Sequence, residues 1–340
     1  DKGLLTKKIV LTIGYDIENV KGGYSGEVMQ DFISKHVTAH FPKMNFSVPL
    51  DALDDSAVVD DIVFTSDVQS ACTGKDILLF AVPSVFVRST AALAAAFIPD
   101  GQIIVDVAKG IEADTLLTMT GIIAQEINNP SVKLVALSGP THAEEVARDL
   151  PTTIVSACED MEVAKFVQNV FGNTCMRVYT NDDVLGVELC GAMKNIMALG
   201  SGIALGLGYG DNTKAALITR GMAEITRLGA AMGCNIRTFY GLAGIGDLIV
   251  TATSIHSRNN RCGMLIGQGV PVEEAKKQVG MVVEGINALP AAIALAKKYQ
   301  VEMPIVAAVL VFIRPEIGLL GMVLICPVLS LAGSPTLLLS

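Results

Sequence analysis

The sequence predicts an α/β protein, with a doubly wound, Rossmann-like parallel sheet first and a mostly α-helical C-terminal domain after it. Short β-branched runs alternate with helical stretches up to about residue 180, the pattern of strand–helix–strand crossovers. Strand signals largely stop after Asp182, where small and apolar residues take up helical spacing. A chain of 340 residues is long enough for two separate cores. These observations place the domains at residues 1–181 and 182–340.

In chain order, residues 8–14 (KIVLTIG) form a β-branched run ending in glycine, the expected first buried parallel strand. A dinucleotide-binding unit would continue with G-x-G-x-x-G into a helix, so that backbone N–H groups meet a pyrophosphate. Here Gly14 is followed by Tyr15-Asp16-Ile17-Glu18, and the fingerprint is missing. A second glycine cluster, Gly22 to Gly26, precedes an expected helix from Glu27 to Lys35 and is either a displaced phosphate turn or a flexible loop. Ile62–Thr65 is a short strand, and Asp76–Val82 is a strongly buried one ending at Pro83. Ser84 is placed to N-cap a helix running through Phe97.

Gln102–Val107 is the next strand and runs into Ala108-Lys109-Gly110. Leu116–Ile127 has helical character, and Leu134–Leu137 is a strand leading into Ser138-Gly139-Pro140-Thr141. Thr152–Ser156, Glu162–Val170 and Met176–Tyr179 continue the alternation. Ligands of open α/β sheets bind at the carboxyl ends of strands, which is where Pro83-Ser84, Lys109 and Gly139–Thr141 fall.

In the second half, Leu185, Leu189, Ala192, Ile196 and Leu199 define one apolar helix face. Thr213–Met232 is a long helix with Lys214, Arg220, Glu224 and Arg227 interleaved. Ser257 can cap a helix through Ile266, Glu284–Lys298 is an alanine-rich helix, and Val301-Glu302-Met303-Pro304 ends the regular pattern. Residues 317–340 carry no charge and are long enough to span a bilayer. Pro327, Pro335 and the lack of a flanking basic cluster favour a buried segment or an oligomer contact, so no stable membrane insertion is expected.

A net charge of −9 argues against nonspecific nucleic-acid binding, which needs Lys and Arg to neutralise phosphates. An anionic substrate would require a locally basic pocket. The seven cysteines are scattered and form no C-x-x-C, and the four histidines show no metal-ligand spacing. A reducing, cytoplasmic setting without zinc or a disulfide framework is the expectation.

The chemistry concentrates between Val184 and Cys262. Lys194 sits among Gly191, Ala192 and Asn195, where small neighbours let a ligand approach and desolvation can draw an ammonium pKa toward the range of a general acid or base. A solvated helix-face lysine is the alternative. Lys109 is a candidate second cation or a surface-turn lysine. Asp247 follows Gly244-Ile245-Gly246 and either projects into a cleft or caps a helix. Ser257-Arg258-Asn259 combines a hydroxyl, helix N–H groups and a guanidinium, which suits a phosphate but also fits a solvated basic turn.

At these residues the chain resembles NAD(P)-dependent glycerol-3-phosphate dehydrogenase. The likeness runs through VDVAKGIE (105–112), LSGPTHAEEVARDLPT (137–152), the stretch 181–229, GLAGIGDLIVT (241–251), SRNNRCGMLIGQG (257–269), VVEG (282–285) and VEMP (301–304), in the family's order and spacing. It implies reversible reduction of dihydroxyacetone phosphate to sn-glycerol 3-phosphate, feeding phospholipid synthesis, with NAD or NADP as cofactor and a cytoplasmic homodimer as the assembly.

By the same resemblance, Lys194 is the general acid/base, and Lys109 and Asp247 complete the catalytic set. Gly139, Thr141, Asn195, Thr251, Ser257, Arg258 and Asn259 join them around the substrate. Gly14, Tyr15, Lys109, Ala143, Arg258, Val282 and Glu284 fall where the family meets its cofactor. Two departures stand out: the missing glycine fingerprint near residues 11–17, and no recognisable amphipathic C-terminal helix after Pro304. The choice between NAD and NADP depends on a side chain at the end of the second strand, in the stretch that does not match. Two alternatives remain at this point. One is a non-catalytic glycerol-phosphate-binding paralogue with a degraded nucleotide site, and the other is a related hydroxyacid dehydrogenase.

Overall fold

The structure, a computed structural model, describes residues 9–12, 67–146, 150–172, 175–254 and 256–314. The expected short strand at 62–65, the glycine cluster at 22–26 with its helix, Gly14-Tyr15 and the apolar tail 317–340 lie outside the described residues. Two compact units emerge. One takes the described residues up to Ala108 together with Thr120–Val184; the other takes Lys109–Met119 and the described residues from Leu185 onward.

Among the described residues, the first unit is built on a six-stranded sheet in the order β1 (Ile9–Thr12), β2 (Ile77–Phe80), β3 (Ile103–Asp106), β4 (Lys133–Ser138), β5 (Thr152–Ala157) and β6 (Met176–Asn181). β1 to β4 pair in parallel, β5 runs antiparallel to β4, and β6 is parallel to β5. This is the Rossmann-like α/β class that the alternation predicts. Helices α1 (Val68–Cys72), α2 (Val87–Ala94), α3 (Met119–Ile127), α4 (Ala143–Val146) and α5 (Met161–Phe171) connect the strands. Buried β-branched and aliphatic side chains such as Ile77, Val105, Val135 and Ile154 pack against Ala164, Val167, Val170 and Phe171 of α5. Asp160 starts α5 by accepting from Glu162 N.

Two boundaries differ from expectation in this region. Ser84 does not cap a helix. The Pro83 carbonyl instead accepts from Phe86 N at 2.9 Å, closing a 3-10 turn over Ser84–Phe86, and α2 begins at Val87. Leu116–Thr118 is not helical. Glu112 N donates to Leu117 O and Leu116 N to Glu112 O, each at 2.9 Å, Ile111 bridges Thr118, and Leu116 takes a left-handed φ of 61°. Segment 109–119 therefore folds back on itself, and α3 starts at Met119.

The second unit is helical: α6 (Val184–Gly206), α7 (Asp211–Ala231), α8 (Ile236–Phe239), α9 (Asp247–Thr253), α10 (Arg258–Gly267), α11 (Val272–Val279), α12 (Glu284–Tyr299) and α13 (Pro304–Ile313). Its axis is α6. Every residue from Gly186 to Ile203 is buried, so the helix is enclosed on all sides and not along a single apolar face. It has the length and apolarity of a membrane span, but 83% of its apolar window is buried inside the protein, as in the core helix of a globular domain.

The regular pattern does not end at Pro304. The proline opens α13 at a position where its missing N–H costs nothing. Glu224 of α7 reaches across to accept from Ile305 N at 2.7 Å and Val306 N at 3.3 Å. A remote carboxylate thus does the work of an N-cap. Glu224, interleaved with exposed charges in the sequence, is one of the buried residues of α7.

Candidate active site

The helical unit gathers the principal candidates around Asp247. A five-residue π-turn, Leu242–Gly246, delivers this aspartate into the interior. The turn needs glycine at its centre, because a Cβ on Gly244 would lie 2.1 Å from the Phe239 carbonyl oxygen. Asp247 is the first residue of α9 and is 1% exposed. Its carboxylate does not cap the helix but receives two ammonium groups. Lys194 Nζ of α6 donates to Oδ1 at 2.5 Å, and Lys109 Nζ donates to Oδ2 at 2.7 Å. Lys194 also donates to Thr251 Oγ1 at 2.7 Å, one turn further along α9, and that hydroxyl donates back to the Asp247 carbonyl at 2.7 Å.

The charges in this row are unequal. Lys194 is buried and no solvated surface lysine, whereas the Lys109 side chain keeps 20% exposure. Burial pushes the Lys194 ammonium down to about 7; the Asp247 carboxylate pulls it up, and the like charge of Lys109 adds to the fall. For Asp247, burial would raise the carboxyl, but the two lysines outweigh it and hold it below the ordinary carboxylate range. The result is a carboxylate fixed in its charged form beside a lysine poised to gain or lose a proton near neutrality.

A second network lies alongside. Asn195, next to Lys194, donates to Gly191 O at 3.1 Å, and its Oδ1 accepts from Asn259 Nδ2 at 3.0 Å. Asn259 Oδ1 accepts from Gly285 N at 2.8 Å, tying α10 and α6 to the start of α12. Ser257 is the N-cap of α10, as expected, and accepts from Asn260 N at 3.2 Å. Arg258, the first residue of α10, is exposed. Helix geometry leaves first-turn N–H groups such as those of Arg258 and Asn259 without intrahelical acceptors, which makes this end a ready anion site.

The remaining candidates are dispersed. Val282 is exposed, and Glu284 opens α12 and accepts from Asn287 at 3.3 Å. In the sheet unit, Gly139 follows β4 and lies so tightly against β5 that a Cβ would lie 3.0 Å from Ile154 Cα. Thr141 Oγ1 donates to Gly139 O at 3.3 Å, and Ala143 opens α4. Gly14 and Tyr15 lie outside the described residues. Sequence reasoning missed Thr118 and Glu188, which form a buried hydrogen bond at 2.8 Å. A lone carboxylate in the apolar run of α6, six residues before Lys194, was the available signal. It also missed Asn260, whose Nδ2 donates to Ala252 O at 2.9 Å and braces the end of α9.

A buried lysine with a pKa near neutrality, held by a carboxylate and a hydroxyl, is equipped to move a proton to or from an oxygen. With a mostly parallel sheet in the same chain, this suits an oxidoreductase acting on a carbonyl or alcohol. The comparisons with known proteins agree. The models for the NAD-dependent glycerol-3-phosphate dehydrogenase N-terminus and C-terminus match residues 47–164 and 183–317. A glycerol-3-phosphate dehydrogenase [NAD(P)+] of Lactobacillus delbrueckii subsp. bulgaricus is 70% identical over 256 residues, covering 74% of this chain and 76% of the relative. One from Agathobacter rectalis is 54% identical over 260 residues, covering 76% and 77%. The crystal structure of glycerol-3-phosphate dehydrogenase from Coxiella burnetii superimposes with a TM-score of 0.73 at 33% identity, covering 83% of this chain and 86% of that one. The chain belongs to the NAD-dependent glycerol-3-phosphate dehydrogenase family.

Proposed function

We propose that the protein catalyses the reversible, NAD(P)H-dependent reduction of dihydroxyacetone phosphate to sn-glycerol 3-phosphate. The observation that carries this reading is the row Lys109–Asp247–Lys194, with Lys194 buried and its pKa near 7. The described part of the sheet suits a dinucleotide, since β1 to β4 run parallel, and the carboxyl edge of such a sheet is where dinucleotides bind. When bound, the reduced dinucleotide supplies a hydride to the carbonyl carbon. Gly14, Tyr15, Ala143, Lys109, Arg258, Val282 and Glu284 are assigned to hold it.

The chain's own residues do the rest. Lys194 Nζ gives its proton to the carbonyl oxygen of the substrate as negative charge develops there, and recovers a proton from the hydroxyl in the reverse direction. Lys109 stabilises the same oxygen, because a placed cation acts more strongly in a dry site than in water. Asp247 keeps both lysines aligned and offsets their charge. Thr251 fixes the Lys194 ammonium from its other side. Asn195 and Asn259, locked by their mutual bond, and the start of α10 with Ser257 and Arg258 take the phosphate and hydroxyl groups. Gly139 and Thr141 are assigned to further substrate contacts. The reading includes a cytoplasmic homodimer. It also divides the chain near residue 181 into a nucleotide part and a substrate part, with segment 109–119 serving the latter.

The direct test gives purified protein dihydroxyacetone phosphate with NADH or NADPH in parallel and follows loss of the reduced cofactor. Turnover is expected, and the faster cofactor identifies the natural one. Folded protein that consumes neither would return the chain to the non-catalytic binding alternative. Arg258→Ala separates a phosphorylated substrate from a plain hydroxyacid. Loss of a charge-assisted contact costs roughly 1.5–3 kcal/mol, so KM for dihydroxyacetone phosphate should rise about ten- to a hundredfold. An unchanged KM would remove Arg258 from the phosphate site.

A further inference from the structure

The Lys109-bearing segment and Lys194 belong to different parts of the chain, yet both must reach one carboxylate. Beyond the Lys109–Asp247 pair, segment 109–119 meets the helical unit at three further points. Ile111 is buried in the helical core, Leu116 packs at its edge, and Thr118 Oγ1 donates to Glu188 Oε2 at 2.8 Å. Leu116 sits at a φ of 61°, a conformation that persists for a non-glycine residue only where the surroundings enforce it. Glu188 is buried in α6, six residues before Lys194, or roughly 9 Å along the helix axis. A polar side chain at such a place is costly unless its hydrogen bonds are met. α6 thus carries one lysine of the row and, through Glu188, the anchor for the segment bearing the other.

We propose that Glu188 is a positioning residue, which clamps segment 109–119 through Thr118 so that Lys109 and Lys194 meet the two oxygens of Asp247 at once. The inference rests on the dehydrogenase reading above. Without the clamp, Lys109 drifts from Asp247 while Lys194, fixed on a buried helix, stays. Among the described residues, the charged groups acting on Lys194 are Asp247 and Lys109. Removing the nearby like charge, and leaving Asp247 to Lys194 alone, moves the lysine's titration to higher pH.

The test uses the full chain with dihydroxyacetone phosphate and NADH, and compares wild type, Thr118→Val, Glu188→Ala, the double variant and Glu188→Gln. Each reading is a kcat, a KM, a pH profile and a melting curve. Thr118→Val keeps the shape of the side chain and loses only the hydroxyl, so it tests the clamp even if Glu188→Ala folds poorly. In Thr118→Val and Glu188→Ala, kcat should fall about ten- to a hundredfold, as for a catalytic group displaced by an ångström. The alkaline limb of the profile should move to higher pH, and the double variant should be no worse than either single one. Glu188→Gln retains an oxygen acceptor for Thr118 and should restore kcat and the position of the limb. Losses that track melting temperature with an unmoved limb, or a Glu188→Gln as impaired as Glu188→Ala, would overturn the clamp. A wild type without turnover would remove the dehydrogenase reading and the clamp together. A working wild type with unaffected variants would overturn the clamp alone.

Discussion

Lys194→Met should lower kcat for dihydroxyacetone phosphate reduction by about two to four orders of magnitude, the usual contribution of a positioned general acid. The protein should still fold, because methionine fits an apolar helix and Asp247 keeps Lys109 at 2.7 Å. The pH dependence gives the sharper reading. Reduction needs the ammonium form of Lys194, so with a pKa of about 7 the wild-type rate should fall as pH rises through neutrality. Oxidation of glycerol 3-phosphate needs the neutral amine, so its rate should rise over the same interval and then level off. Lys194→Met should abolish both limbs. Residual activity with the same alkaline limb would assign the proton transfer to another group.

The same titration enters stability. A lysine whose pKa is lowered on folding binds fewer protons in the native state than in the unfolded one between about 7 and the ordinary lysine value. Its contribution to stability therefore rises with pH across that window, and below it the buried ammonium is a standing cost. Asp247 acts in the opposite range. Its lowered carboxyl contributes stability above its unfolded pKa, which is lost as pH falls through the folded one.

The sequence made most of the architecture legible because buried parallel strands need continuous apolar runs. Ile77–Phe80 and Lys133–Ser138 lie where such runs stand. Ser257 was readable as a cap for a local reason, since the acceptor and Asn260 N are three residues apart. What failed was non-local. Pro304 looks like a terminator until Glu224, eighty residues earlier, is found holding the N–H groups behind it. Leu116 looks helical until Thr118 bonds to Glu188 and the segment closes on itself. In the site, Lys194 and Asp247 stood out by residue type and small neighbours, but spacing alone could not pair them across 53 positions. The resemblance supplied that pairing in advance, and the geometry gives it a physical cause.

Gly263→Ala should destabilise the helical unit by about 3 kcal/mol, the upper end of ordinary overpacking. α6 and α10 cross backbone to backbone. A Cβ on Gly263 would lie 2.1 Å from Leu199 O, one on Gly267 2.2 Å from Ile203 O, one on Gly202 2.1 Å from Asn260 O, and one on Gly206 2.2 Å from Met264 O. These obstacles are carbonyl oxygens of helices and not ends of flexible side chains, so relief requires the helices to separate by about an ångström. That displacement would also strain the Asn195–Asn259 bond and the brace from Asn260 to Ala252, which sits beside Thr251. Substrate KM should therefore rise together with the loss of stability, although residue 263 is assigned to no substrate contact. Urea unfolding of the helical unit, with KM measured on the same preparations, checks both effects. Gly210→Ala serves as the control, because a Cβ there meets nothing within 4 Å. If Gly263→Ala unfolds where Gly210→Ala does, the crossing is looser than described, and the asparagine pair cannot depend on it.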